Sequence, residues 1–285
     1  MMTEPAAGPR SRHIRFLVAR RLVQATIVVL FVGANLWGWQ ILQGNLSSSV
    51  LLGVVPFADP FATLQLLAAG GILASDALLG AGLTVLIYAV LGGRMFCSWV
   101  CPMNPVTDLA NYLGRRVPWF RADAQKDPRK PVARSARTWF LGLALVLSAV
   151  LGIAAFEAIS PVGMLQRGLV FGMGLGWWAI AGVFLFDLFI QRNGFCGHLC
   201  PLGAFYEVIG RFSLWRVVHD HKKCTSCWDC LRVCPESQVL GLVSKGSGSV
   251  LSGACTNCGR CVEVCHDDAL ALSFRQQGIA QSSGG

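Results

Sequence analysis

Charge is what this sequence has least of. Asp, Glu, Lys and Arg make up only 14% of its 285 residues while 54% are hydrophobic, where a soluble domain carries about a quarter charged residues. That scarcity excludes an ordinary soluble globule and makes a membrane protein the first reading. Acid is scarcer still, with 15 Asp and Glu against 24 Lys and Arg, a net charge of +9. No basic stripe with interleaved aromatics occurs, and the basic residues flank apolar runs instead, which argues against nucleic acid as a partner. None of the twelve cysteines stands outside a closely spaced set. This pattern points to metal or cluster ligation in a reducing compartment and away from structural disulfides.

A cleavage site is also missing. The Arg20-Arg21 pair ahead of the first apolar run resembles a twin-arginine or secretory signal, yet the run is about twenty residues long and no small-x-small site closes it. Residues 22–42 therefore read as a retained transmembrane helix, long enough at about 1.5 Å per residue to cross the hydrocarbon core. Three further spans are expected at 77–91, 138–158 and 173–190. Before the second and fourth lie shorter apolar pieces, 61–74 and 162–171, which read as interfacial or re-entrant segments covered by protein. Every Lys and Arg except Arg167 lies in the N-terminal tail, in 92–137 or after the fourth span. The positive-inside rule then puts both termini in the cytoplasm. Trp37, Trp39, Trp177 and Trp178 sit near span ends as an aromatic belt.

Eight of the cysteines form a doubled motif. Cys224-x2-Cys227-x2-Cys230-x3-Cys234 is followed by Cys255-x2-Cys258-x2-Cys261-x3-Cys265, the spacing that ligates cubane clusters in bacterial-type ferredoxins, with the fourth cysteine crossing to the other cluster. Two [4Fe-4S] clusters are predicted, one on Cys224, Cys227, Cys230 and Cys265, the other on Cys255, Cys258, Cys261 and Cys234. A structural zinc site has no use for a third cysteine at the same short step. His266 stands where a proline usually follows the fourth cysteine, a departure in local geometry only. His198, His221 and His266 lie near cysteine motifs but are not needed as ligands, because the motifs are complete in cysteine.

The other four cysteines mark an internal repeat offset by about one hundred residues. Asp59-Pro60 and Gln65 match Ser160-Pro161 and Gln166, and Phe96-Cys97-x3-Cys101-Pro102 matches Phe195-Cys196-x3-Cys200-Pro201. With two spans per half, the repeats are parallel about an axis along the membrane normal and both cysteine pairs emerge on one side. Cysteines at i and i+4 share a helical face, so Cys97, Cys101, Cys196 and Cys200 could form a four-thiolate site for zinc, Cu(I) or a third iron-sulfur cluster. The alternative is a set of reduced thiols at helix ends.

The expected fold is thus an α-helical integral membrane protein of four transmembrane helices in two parallel repeats, plus a C-terminal α+β bacterial-type ferredoxin domain. Its divisions are a cytoplasmic tail at 1–20, repeats at 21–105 and 138–205, a basic loop at 106–137, the ferredoxin domain at 206–274 and a disordered tail at 275–285.

The Gly92-Gly93-Arg94-Met95-Phe96-Cys97 and Cys196-Gly197-His198-Leu199-Cys200-Pro201-Leu202-Gly203 motifs, the Phe184–Phe189 run and the Cys255–Cys261 motif together resemble the NapH/MauN family of membrane ferredoxin-type proteins, from about residue 20 to 274. The resemblance extends more distantly to NosR and CcoG. It implies the bacterial inner membrane and electron supply from quinol toward a periplasmic nitrate reductase, with a NapG-like ferredoxin and a membrane-anchored multihaem cytochrome as partners. It equally admits redox assembly, maturation or sensing for a partner metalloenzyme. Where quinol would bind is read from ionisable residues in or beside the spans, which nominates Asp187, Glu157 and Asp59. Each could instead sit at an interface or cap a helix.

Overall fold

The computed structural model describes residues 14–116, 133–172 and 174–275. Most of the expected N-terminal tail, the centre of the basic loop, Met173 and all but the first residue of the expected C-terminal tail lie outside the described residues.

The first helix, α1 (Arg15–Trp37), is the one helix among the described residues long and apolar enough to cross a membrane by length and composition. It starts earlier than expected, takes in the Arg20-Arg21 pair, and stops at Gly38, whose left-handed backbone (φ 70°) closes it. The rest of the apolar run is not helical. From Leu42 the chain folds into an antiparallel meander of β1 (Leu42–Gly44), β2 (Ser48–Leu51) and β3 (Val55–Ala58).

Next come α2 (Pro60–Ala68), α3 (Ser75–Leu91), the single turn α4 (Met95–Trp99) and α5 (Met103–Arg116). The second half runs α6 (Ala136–Leu151), α7 (Ala155–Ile159), α8 (Pro161–Phe171) and α9 (Gly176–Leu185), which continues as a π-helical turn, Phe186–Ile190. A second π turn, Phe195–Leu199, leads into α10 (Pro201–Gly210). The apolar stretches Ser75–Leu91, Ala136–Leu151 and Gly176–Ile190 fall where the other three spans were expected and are shorter than α1. The expected basic loop begins with helix, since α5 covers its first residues.

The repeat is visible in the backbone. Asp59 caps α2 by accepting a hydrogen bond from Phe61 N at 3.1 Å with Pro60 at the first helical position, and Ser160 caps α8 by accepting from Gly163 N at 3.4 Å with Pro161 at the same place. The matched Gln65 and Gln166 are both buried. Side-chain placement inverts the soluble pattern. α1 buries Arg20, Gln24, Phe31 and Gly33, α3 buries Gly80 and Ala81, and α6 buries Arg137, Ala144 and Ser148, while Leu22, Leu36, Leu79, Leu86, Val146 and Val150 are exposed. Inside, Phe96 stacks on Tyr206 with centroids 4.8 Å apart, and contacts through Phe205 and Phe61 extend the ring chain to Phe156.

The C-terminal unit is α+β: β4 (Trp215–His219), α11 (Asp229–Val233), β5 (Gly248–Ser249), α12 (Arg260–Val264) and β6 (Leu270–Phe274), with sheet order β5-β4-β6, all antiparallel. Val217, Leu240, Val243 and Val250 fill its core. The helical unit runs on past the expected boundary, because α10 extends to Gly210.

A buried ion network joins the two units. Arg94, directly before α4, pairs with Glu236 at 2.8 Å and donates to the carbonyls of Ala254 (3.1 Å) and Cys196 (2.9 Å). Arg137 of α6 pairs with the same carboxylate at 3.2 Å and with Glu207 of α10 at 2.5 Å. Arg94, Glu236 and Arg137 are all nearly inaccessible to solvent. Burial opposes ionisation of Glu236, but Arg94, Gln238 and Arg137 outweigh it and hold the carboxyl down to about 2.

Two stability predictions come from this packing. A Cβ on Gly93 would sit 1.9 Å from the Tyr206 carbonyl oxygen and 2.4 Å from Gly210 N, so Gly93→Ala must push α10 away at a cost of about 1–3 kcal/mol. Thermal unfolding in detergent should show a lowered midpoint, with Gly142→Ala, whose Cβ meets nothing within 4 Å inside α6, as the control whose midpoint does not fall. Glu236→Gln leaves Arg94 buried without its paired carboxylate, Arg137 keeping Glu207, and should cost about 3–5 kcal/mol in the same measurement.

Candidate cluster-binding site

The two cysteine runs fold alike. Backbone φ is positive at Ser226 and Trp228 in the first run and at the matching Asn257 and Gly259 in the second. These left-handed residues curl each loop before its short helix, α11 or α12, begins at the next residue. Cys230 comes within electrostatic reach of Cys224, Cys227 and Cys265. Cys261 comes within reach of Cys255, Cys258 and Cys234, and also of Cys230. The chain thus gathers the two sets of four that the spacing anticipates, with each fourth cysteine beside the other run, and sets them next to each other. Burial pushes the Cys230 and Cys255 thiols up to about 11, so ligation must draw protons from them. Among the described residues, no three His, Cys, Asp or Glu side chains close on a single metal-ion position.

The second run is clamped to the first C-x3-C-P motif. Ser98 Oγ donates to the Thr256 carbonyl at 2.7 Å and Trp99 Nε1 to the Asn257 carbonyl at 3.1 Å. Asn257 Nδ2 answers by donating to the carbonyls of Leu91 (3.1 Å) and Trp215 (2.9 Å). From the other side, Gln24 of α1 donates to the Ser98 carbonyl at 3.0 Å. The residues between Cys97 and Cys101 therefore hold one of the ferredoxin-type loops.

The four remaining cysteines are brought together, though not on a shared helical face. Cys97 lies within the turn α4 and Cys101 beyond its end; Cys196 lies within a π turn and Cys200 is the extended cap of α10 (ψ 112°). The expected i, i+4 face fails because Pro102 and Pro201 force the preceding residue out of helix. Proximity is reached by the facing of the two halves instead: Cys101 is within electrostatic reach of Cys97 and Cys200, and Cys196 of Cys200, Cys101 and Cys97. Cys101 and Cys200 are buried, and Cys97 and Cys196 partly so.

The nominated carboxylates all hold local structure. Asp59 caps α2, and Glu157 accepts from Ser47 Oγ on the meander side of the molecule. Asp187 is buried beside the cysteines, where its Oδ1 accepts from Phe195 N at 3.0 Å at the mouth of the second motif. His198 is buried with Nε2 2.8 Å from Gln191 Nε2, while His221 and His266 are exposed.

Several residues of the site escape motif reading. Arg94 and Glu236 are 142 positions apart, and only Glu236's place after Cys234-Pro235 hinted at a role. Arg20 is fully buried, and none of its three guanidinium nitrogens has a hydrogen-bond partner among the described residues. His219, buried beside the first run, donates from Nδ1 to the Gly246 carbonyl (2.7 Å). Curled matching loops, gathered soft thiols and an orphaned cation beside them fit iron-sulfur groups.

Comparison with known proteins agrees. Residues 75–119 and 170–219 match a 4Fe-4S binding domain family, and residues 216–266 match a 4Fe-4S dicluster domain family. The methylamine utilization ferredoxin-type protein MauN of Methylorubrum extorquens is 45% identical over 264 residues, covering 92% of this chain and 90% of that protein. The ferredoxin-type protein NapH of Escherichia coli is 43% identical over 275 residues, 95% of this chain and 93% of that protein. NapH of Haemophilus influenzae is 44% identical over 266 residues, with 92% and 90% covered. No solved structure matches the chain. At this identity over nearly its whole length, the chain belongs to the NapH/MauN family of ferredoxin-type proteins.

Proposed function

We propose that this chain is a membrane electron-transfer subunit that draws electrons from quinol. The observation that carries this reading is the direct seating of the second ferredoxin-type loop on the C-x3-C-P motif that follows α3. Four spans, α1, α3, α6 and α9 with its π turn, are supported by the large apolar side chains those helices leave exposed and the small or polar ones they bury, the arrangement favoured where lipid is the solvent. Trp37, Trp39, Trp177 and Trp178 are exposed near the ends of α1 and α9, as a membrane interface would have them.

In this reading Cys224, Cys227, Cys230 and Cys265 hold one [4Fe-4S] cluster and Cys255, Cys258, Cys261 and Cys234 a second. Cys97, Cys101, Cys196 and Cys200 hold a third, supported by the 4Fe-4S binding domain match over both C-x3-C-P segments. Such clusters, when bound, accept one electron at a time at potentials set by charge, hydrogen bonds and exposure. Quinol releases two electrons and two protons. Asp187 is the nominated carboxylate that lies beside the cysteines, with Oδ2 lacking a hydrogen-bond partner among the described residues, and we assign it the proton-accepting role.

The downstream system is a periplasmic nitrate reductase in the first reading. A maturation role in methylamine utilisation is the second, favoured by 45% identity to MauN.

Iron and labile sulfide on purified full-length protein should reach about twelve per chain, and changing Cys97, Cys101, Cys196 and Cys200 to Ser together should remove about four while leaving the ferredoxin-type eight. A content of about eight that this variant leaves unchanged sinks the third cluster. Low-temperature EPR on membranes should show reduced cluster signals after quinol addition, diminished several-fold in Asp187→Asn. Absence of any quinol-dependent signal sinks the donor assignment. In membranes holding preassembled nitrate reductase, deletion of this protein should abolish quinol-to-nitrate flow; normal flow favours the second reading.

A further inference from the structure

The adjacent arginines Arg20 and Arg21 have different fates. Arg21 is partly exposed and pairs with Asp108, with a further hydrogen bond to Asn104 Oδ1 at 3.1 Å. Arg20 is inaccessible to solvent, and its Nε, Nη1 and Nη2 all lack hydrogen-bond partners among the described residues. A buried guanidinium cannot relieve its isolation by losing its proton, and burying it without compensation would be strongly destabilising. Its surroundings must therefore supply negative charge.

The neighbouring carboxylates are already engaged by other arginines. Arg20 lines a cavity of about 30 Å³ with Arg94, Arg260, Asp108, Glu236 and Cys258, which Cys97 and Cys196 of the C-x3-C-P motifs also reach. Arg94 is paired with Glu236, and Arg260 shares Asp108 with Arg21. Among the groups acting on Arg20, Cys258 exerts the foremost attraction. The other run offers the opposite environment. Among the described residues, the cavity beside Cys224, Cys227, Cys230 and Cys265 is lined by Asp267 and His219 with no Lys or Arg. Lys222 and Lys223, next to Cys224 in sequence, are exposed, so solvent and salt screen them.

We propose that Arg20 is the charge-compensating donor to the cluster held by Cys255, Cys258, Cys261 and Cys234, directed at its Cys258 side, and that it makes this cluster the more easily reduced of the ferredoxin-type pair. Reduction adds negative charge, which a buried cation stabilises and a nearby carboxylate opposes. Asp267, which accepts from Thr225 N at 3.1 Å and Thr225 Oγ1 at 2.6 Å, supplies the opposing charge at the other cluster. The assignment rests on the two-cluster reading above.

The test is an EPR-monitored redox titration of the purified full-length protein, with iron counted first, in wild type, Arg20→Gln, Arg20→Lys and Asp267→Asn. With Cys97→Ser, Cys101→Ser, Cys196→Ser and Cys200→Ser in the background so that only the ferredoxin-type pair contributes, Arg20→Gln should make one of that pair at least tenfold harder to reduce, about 59 mV for one electron, and leave the other in place. Arg20→Lys should retain most of the wild-type value. Asp267→Asn should raise the other centre, the one of lower potential in wild type. The proposal is overturned if both clusters are present and Arg20→Gln moves neither centre or both alike, or if Asp267→Asn raises the higher-potential centre. The Asp267 arm decides the matter even if Arg20→Gln fails to fold. Fewer than eight irons without paired signals would instead overturn the two-cluster reading.

Discussion

The structure turns on the ion pair between Arg94 and Glu236. Arg94 stands at the last residue before α4, so its side chain is fixed by the same backbone that presents Cys97. Glu236 follows Cys234-Pro235, so its carboxylate is fixed by the loop that presents Cys234. The guanidinium also holds the Cys196 carbonyl of the other half. One side chain thus sets the spacing between three cysteine segments that are far apart in sequence. Its burial matters because a pair taken out of water tolerates little displacement before one charge is left alone. The double glycine ahead of it serves the same end, since Gly93 is where the chain passes α10 at closest approach.

Much of this was legible in the sequence because it depends on local rules. The cysteine spacing sets out two groups of four, and the loops fold with matching left-handed residues at Ser226 and Asn257, Trp228 and Gly259. The Asp59-Pro60 and Ser160-Pro161 signals start helices where the repeat required them. What stayed hidden depends on partners distant in the chain. Neither the Arg94–Glu236 pairing nor the ring chain from Phe156 to Phe96 has any short-range signature. Residues 42–58, between the first span and the short piece at 61–74, fold as a β-meander that the search for apolar runs did not reach, because run length reports burial in lipid or protein and not backbone geometry. The shared helical face expected for Cys97 and Cys101 failed on a local rule that was present but underweighted: proline excludes helix from the residue before it.

The two halves have diverged at equivalent places. With the cysteine motifs aligned, Tyr88 stands opposite Asp187 and Arg94 opposite Asn193. In the first half Tyr88 joins the aromatic packing and Arg94 reaches the ferredoxin-type unit; in the second Asp187 pins the chain at Phe195 and Asn193 accepts from Asn111 at 2.8 Å. At these two positions the first half makes a long-range attachment and the second an internal brace, while Arg137 of the second half reaches Glu236 by a separate route. The repeat supplies the paired thiols, and both halves take part in mounting the other unit.

The ferredoxin-type unit has its own near-symmetry, and the left-handed residue at the start of each short helix shows how it is broken. At Gly259 there is no side chain, and the ring of Phe16 from α1 occupies the space where one would be. At the matching position Trp228 projects into solvent next to exposed Cys227. One lobe is roofed by the helical unit and the other is bare. The asymmetry gives the unit a polarity of access: among the described residues, a large molecule arriving through water meets Cys227 of the first run uncovered, whereas Cys258 and Cys261 of the second lie buried.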